Sequence, residues 1–390
     1  AHVLYSELRE RGRTHGHGQV VLVTHYDDVK TVIRDAERFS NLALVAGPRI
    51  DEARAHMTEN ERAAFDAVTE FFANFPSRAD GAHHARLRAA AARAFTPGKI
   101  AAMEQPIRDL LDHLLGDLGS DESIDFLERV AFRLPLLVVA DLLGVSHDDI
   151  ETIHGWSMAL GASTGATIGE PFLAAAGALE EFLGYVEVMI ERSVGQPTTD
   201  LVSLFLGADL THDELAALFV QILFAGHETT TTLLSVGLAE LLRAPNQWRE
   251  LGSDPALVPN AVEELLRLVS PAQFVSRLAL EDVPLGATLV TEGTTVLAVL
   301  AAANRDPEVF TDPNTVDIGR PNLADQLAFG FGPHFCLGSA LARLEARVVF
   351  EELSRRYPDA TIASNDLEWT GGAMLRRLAG LPLVLGDRRA

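Results

Sequence analysis

Apolar residues recur along most of the chain at spacings of three and four, the pattern of helices that bury one face. Five short stretches read instead as strands: Val20–Thr24, Arg277–Ala279, Thr288–Val290, Thr295–Val299 and Leu381–Leu385. They lie near the two ends and in one late block. The pattern therefore predicts a mainly α fold with a small β region, its β-rich parts near 1–40, 275–300 and 358–390. No repeat, low-complexity linker or charge block marks a boundary, so residues 1–390 are expected to form a single domain.

Two helices carry clear punctuation. Thr211-His-Asp-Glu214 is a capping box, in which the Thr side chain caps early N–H groups and the Glu reaches back to the cap. Apolar residues continue from there to Leu242, and Pro245 follows as a stop. At its full length such a helix spans roughly 45–50 Å. A helix apolar on most faces must cross the interior. A second helix is expected from about Pro259 to Val269, ending before Pro271.

Composition narrows the classes. With 390 residues, 47% of them hydrophobic, the chain can bury a large core. Its 32 basic and 55 acidic residues leave a net charge of −23, which argues against nucleic acid or an anionic membrane surface as partner. The apolar runs Leu215–Gly226 and Leu134–Val145 are too short to span a bilayer and read as buried helix segments. The first residues, AHVLYSELRERG, have neither the basic nor the apolar part of a signal peptide, so the cytoplasm is the expected compartment. A monomer is the expected state.

There is one cysteine, which excludes an internal disulfide, a multi-cysteine zinc site and a protein-bound iron–sulfur cluster. A lone cysteine is most often a small buried apolar residue. This one sits in Phe329–Gly338, FGFGPHFCLG, where three glycines let the backbone approach something bulky and flat. A strong helical pattern, LGSALARLEARVVFEEL, follows it. Cys336 thus lies at or just before a helix N-terminus, where free N–H groups and the helix dipole favour a thiolate. One thiolate cannot hold zinc in a four-coordinate site, but it suffices for a haem, whose porphyrin supplies the other donors.

The segment Phe224-Ala-Gly-His-Glu-Thr-Thr230 stands out in the middle of the long helix. Glycine and consecutive threonines are poor choices for a helix interior, and a buried His-Glu pair is costly. Local rules broken together at one place usually mark function.

FGFGPHFCLG resembles the haem-binding loop of cytochromes P-450 at every defining position, and the likeness extends from about Tyr26-Asp-Asp-Val to Leu385. The resemblance implies the mainly α, prism-shaped fold of that family and a haem b cofactor. Cys336 would be the axial iron ligand, Phe329 would pack on the thiolate side, Gly330 and Gly338 would shape the loop, and His334 would reach a propionate. His84 and Arg88, in DGAHHARLRAAAARAFTP, match a helix that binds the same group, although Gly81 and Ala82 stand where the family often has prolines. Arg277 matches a propionate arginine. Ala225 and Gly226 would line an oxygen-binding groove where the long helix is distorted, with Glu228 and Thr229 delivering protons. Glu264, Arg267 and Arg320 would form a buried structural network.

The activity so implied is reductive activation of dioxygen, with one oxygen atom entering an organic substrate. Hydroxylation is the default outcome. Gln221, Phe224, Ala272 and Phe274, with residues from 42–80, are the expected substrate contacts. Abundant Ala and Arg with little Lys fits a GC-rich genome of the actinomycete kind, and with it the tailoring of a secondary metabolite. Electrons would come from a ferredoxin and its reductase, docking on the Cys336 side over Arg86, Arg93, Lys99, Arg343 and Arg347. The alternatives are a peroxide-driven relative, which needs no donor, and a haem-binding sensor without turnover. The Glu228-Thr229 pair argues against both.

Overall fold

The computed structural model describes residues 2–116, 123–163, 170–195, 201–364 and 366–389. Helices dominate, as the periodicity predicts. Those that position the site are α1 (Gly81–Ala92), α2 (Arg133–Leu143), α3 (Ile150–Ser163), α4 (His212–Leu242), α5 (Val258–Val269) and α6 (Ser339–Arg356). The strands that matter here are β1 (Thr14–His17), β2 (Val20–Val23), β3 (Phe39–Ser40), β4 (Val275–Ala279), β5 (Thr295–Ala298), β6 (Trp369–Gly371) and β7 (Arg376–Leu378).

β1 to β5 form one sheet in the order β1-β2-β5-β4-β3, parallel only between β2 and β5. β2 comes from the start of the chain and β5 from the late block, so this pairing joins two segments that the sequence keeps far apart. β6 and β7 form an antiparallel hairpin with Thr370 opposite Arg377. The remaining late strands lie within one or two residues of their expected bounds: Thr288–Val290 as expected, and Pro382–Val384 inside Leu381–Leu385.

α4 is the 31-residue helix that its capping box announces; the Thr211 hydroxyl accepts from the Glu214 N–H, and the Glu214 carboxylate accepts from the Thr211 N–H at 2.9 Å. Pro245 does stop it, but it also opens the next helix, Pro245–Ser253, at a first-turn position that needs no N–H. The apolar core divides along α4. Leu215 to Leu223 pack with α2, α3 and the Glu170–Gly195 helix, whereas Leu233 to Leu242 pack with α5 and α6. The interval between the two clusters is the polar stretch 224–232, and it borders a large cavity.

One expectation fails here. The central helix is not broken at 224–230 but continues as α-helix throughout. Its hydroxyls turn back onto the helix instead: Thr229 donates to the Ala225 carbonyl at 3.2 Å, Thr230 to Gly226 at 3.3 Å and Thr232 to Glu228 at 3.1 Å. Such back-bonding satisfies hydroxyls in an apolar interior without opening the backbone ladder.

Candidate active site

Cys336 reaches its position through a tight loop. Gly330 and Gly332 take φ values of 72° and 78°, and the Cys336 N–H donates to the Phe329 carbonyl at 3.0 Å. A side chain at Gly332 would also press on the Arg34 backbone at 3.2 Å, so this glycine is required by space as well as by torsion. The loop leaves the sulfur bare to a cavity of about 360 Å³. Surrounding protein pushes the thiol pKa up, while the Gly338 and Ser339 N–H groups and the Arg88 and Arg343 guanidiniums pull the other way. A cation placed in the cavity would tip that balance to the thiolate, as metal binding does for coordinating cysteines.

Three basic side chains, Arg88, Arg277 and His334, line one end of the same cavity, with His84 stacked against His334. His84 and Arg88 lie one turn apart on α1, Arg277 projects from β4, and His334 belongs to the cysteine loop. His84 stacks on His334 with ring centroids 3.9 Å apart, and its Nε2 is buried without a partner. Arg88 donates to the Phe335 carbonyl at 2.6 Å. Arg277 is buried and donates to the Ser276 carbonyl at 2.8 Å. Burial pushes the Arg277 pKa down to about 10, and burial with His84 and Arg277 nearby holds His334 down to about 3.

Among the described residues, Asp80 and the Cys336 sulfur are set against them, and the Asp80 carboxylate is already shared with Ser40 and Asn41, at 2.5 Å and 2.8 Å. This rim is short of negative charge. Buried cations without counter-ions are expensive, so the rim fits a ligand that carries carboxylates. Asp80 stands at the N-cap of α1 but its side chain caps nothing there, and Gly81 enters the helix at φ 57°, a torsion closed to proline.

The cavity meets α4 along Gln221, Ile222, Ala225, Gly226, Thr229 and Thr230. Gly226 answers a second demand, because a Cβ there would lie 2.7 Å from Val139 of α2. Glu228 is not on the cavity wall. Its carboxylate lies 2.7 Å and 3.0 Å from Arg377 of β7, and His227 sits 3.5 Å away. Burial alone would raise the Glu228 carboxyl, but His227 and Arg377 outweigh it and hold the pKa down to about 2.

Among the expected substrate contacts, Gln221 and Ala272 line the cavity. Phe224 does not; its ring packs toward Gly161 of α3, where an added Cβ would lie 3.2 Å from it. Phe274 is also absent from the wall, and Val275 stands there instead, because a strand turns successive side chains to opposite faces. From the region of 42–80 the wall takes Pro76 and Ser77, with Asn41 just before it.

The charge network is built as expected. Arg267 holds Glu264 through two bonds of 2.7 Å and 2.8 Å, and Arg320 adds a third at 3.0 Å, with Glu264 and Arg267 fully buried. The proposed docking cations are less free than their sequence suggests. Arg86 pairs with Glu214, Arg343 with Glu263 at 2.5 Å, and Arg347 with Glu104 at 2.6 Å. Arg343 also lies over the Phe329 ring at 4.5 Å. Among the described residues, Arg93 and Lys99 contact only backbone carbonyls, at 3.4 Å and 3.1 Å. No short-range signal announced Arg377 or Asp80, whose partners lie far away in sequence.

A lone cysteine opening on a cavity lined by two arginines, beside a helix face rich in small and hydroxyl residues, fits a haem with its carboxylates at the cationic end. The cytochrome P450 family model matches residues 178–358. The monooxygenase PikC of Streptomyces venezuelae is 34% identical over 97% of this chain and 89% of its own length. The 6-deoxyerythronolide B hydroxylase of Saccharopolyspora erythraea is 31% identical over 93% of this chain and 90% of its own. The solved structure of CalO2 superposes with a TM-score of 0.89 at 28% identity, covering 99% of this chain and 96% of that one. The chain belongs to the cytochrome P450 family and has its fold. It is a monooxygenase that binds haem b and acts on small molecules with dioxygen. No helix among the described residues is long and apolar enough to cross a membrane.

Proposed function

We propose that Cys336 is the axial thiolate, that His84, Arg88, Arg277 and His334 bind the propionates, and that the enzyme hydroxylates a secondary metabolite with electrons from a ferredoxin. The observation that carries this reading is the Cys336 sulfur open to a cavity with Arg88 and Arg277 on its wall and little negative charge to offset them. Bound haem b supplies the redox centre at which dioxygen is reduced.

The chain's own residues position and protect that chemistry. Thr229 keeps its hydroxyl at the cavity wall by donating to Ala225, leaving its lone pairs able to accept a bond from a bound ligand. Glu228 stores negative charge one residue away and must release Arg377 before it can take up and pass on a proton. Leu142, Leu218, Val275 and Pro76 make the rest of the wall apolar, which suits an apolar substrate body and limits water. Donor docking is assigned to the Cys336 side, with Arg93 and Lys99 as the cations not committed to carboxylates.

The Glu228–Arg377 pair favours one alternative, a peroxide-driven enzyme, because a locked carboxylate is no hindrance when peroxide already brings protons and electrons. NADH consumption and product formation with a surrogate ferredoxin and reductase, compared with peroxide alone, separates the two. Product from peroxide at the higher rate, with none from the electron donors, would overturn the ferredoxin reading.

A further inference from the structure

His227 and Glu228 are missing from the cavity wall and have a separate set of neighbours. His227 is fully buried, and its Nδ1–H donates to the Leu223 carbonyl at 2.7 Å. That bond leaves Nε2 pointing into the interior, buried and without a hydrogen-bond partner among the described residues, and a metal would take the place of any proton it carries. It lies 3.5 Å from a Glu228 oxygen. His154 of α3 adds a second ring, 5.8 Å from His227 between centroids, and its own Nδ1 is buried and unpartnered. One ligand atom from each of His154, His227 and Glu228 lies within 4.8 Å of the other two.

We propose that His154, His227 and Glu228 form a second metal site, separate from the Cys336 pocket, for a divalent ion of the Zn²⁺ class. Two neutral imidazoles and a carboxylate are the donor set such an ion prefers, with water in the fourth position. Tetrahedral bonds of about 2.0–2.2 Å place donors roughly 3.3–3.6 Å apart. The His227–Glu228 separation already meets that spacing, and His154 needs to close by only about an ångström, within the reach of a side-chain rotation. The Leu223 carbonyl fixes the His227 tautomer, as outer partners of metal-bound histidines do. Phe132 walls the apolar side, 4.4 Å from His154 and 6.4 Å from His227 between ring centroids. His154 is only half-buried and gives the ion a route from solvent.

Arg377 is the competitor. Its guanidinium occupies the same carboxylate and also touches the Met158 sulfur at 3.6 Å and 3.7 Å. A dication and a guanidinium cannot share Glu228 without strong repulsion, so the carboxylate is held by arginine or by metal. If Glu228 passes protons, as read above, a bound ion inhibits turnover; binding itself does not depend on that reading.

Calorimetric titration of Zn²⁺ into the haem-loaded enzyme tests the site. An acidic surface binds zinc weakly in many places, so the readout is the difference between variants. A 1:1 site is expected in the wild type, absent in His154→Ala, restored in His154→Cys and tightened by roughly tenfold or more in Arg377→Gln. An unchanged haem spectrum confirms that each variant is folded. Equal zinc stoichiometry and affinity in the wild type and His154→Ala would overturn the site. Zinc bound in the expected pattern without effect on turnover would support the site and overturn the proton role of Glu228 instead.

Discussion

Arg377 reaches across 149 residues of sequence to hold Glu228, with its Nη1 2.7 Å and 3.0 Å from the two carboxylate oxygens. The pair ties the β6–β7 hairpin to the polar interval of α4, and His227 with Arg377 keeps the carboxylate ionised far below its ordinary range.

The contacts of Glu228 with His227 and Arg377 have a pH signature. Glu228 has a folded-state pKa of about 2 against an ordinary value of 4.5, so its contribution to stability is complete above 4.5 and disappears as pH falls toward 2. Arg377→Gln should destabilise the protein at neutral pH by about 1–3 kcal/mol, the cost of leaving a buried polar group poorly paired. The gap between variant and wild type should narrow as pH drops from 4.5 toward 2. Urea unfolding at several pH values reads it, and a gap that stays constant across this window contradicts the assignment.

Cys336→His should abolish the thiolate-type absorption of the reduced carbon monoxide complex. The substitution keeps a ligand atom near the cavity but removes the anionic sulfur that the loop presents. Survival of the thiolate spectrum would sink the ligand assignment.

Thr229→Ala removes a hydroxyl at the cavity wall whose helix-directed bond is dispensable to the α4 ladder. Haem binding and substrate-induced spectral shifts should persist, while reducing equivalents are diverted to hydrogen peroxide. Loss of a positioned proton donor commonly costs ~10²–10⁴-fold in rate. Unchanged product yield per NADH consumed would show that Thr229 takes no part.

For the electron donor, charge reversal at Arg93 and Lys99 is the cleaner experiment. Arg343→Glu would also break the Glu263 pair and uncover Phe329, so its effects mix docking with loop stability. Arg93→Glu with Lys99→Glu should slow ferredoxin-supported reduction through association and leave substrate affinity unchanged. Added salt should slow the wild type in the same way, since exposed charges screen over ~8–10 Å at physiological ionic strength. Rates indifferent to both would place the docking face elsewhere or make the donor non-acidic.

Local chemistry was legible where one segment carries the whole signal. The cysteine loop needs its glycines, its histidine and its following helix within a few residues, and the Thr211–Glu214 cap is complete within one turn. The Glu264–Arg267 pair is likewise written at one-turn spacing, although its full burial is a property of the packed molecule. Helix periodicity also revealed that α4 must cross the interior, because no surface helix can be apolar on most sides.

What the folded molecule decided is who faces whom across long gaps. Gln221 and Phe224 lie three residues apart on α4, yet only packing against α3 turns Phe224 out of the cavity and leaves Gln221 in it. Asp80 gives up capping α1 to hold Ser40 and Asn41, Arg377 finds Glu228 only when the late hairpin folds back on α4, and His154 meets His227 only when α3 packs there. These contacts depend on distances between elements rather than on residues within them. Sequence patterns report an element's own period and caps, and they carry no term for the partner that tertiary packing brings against it.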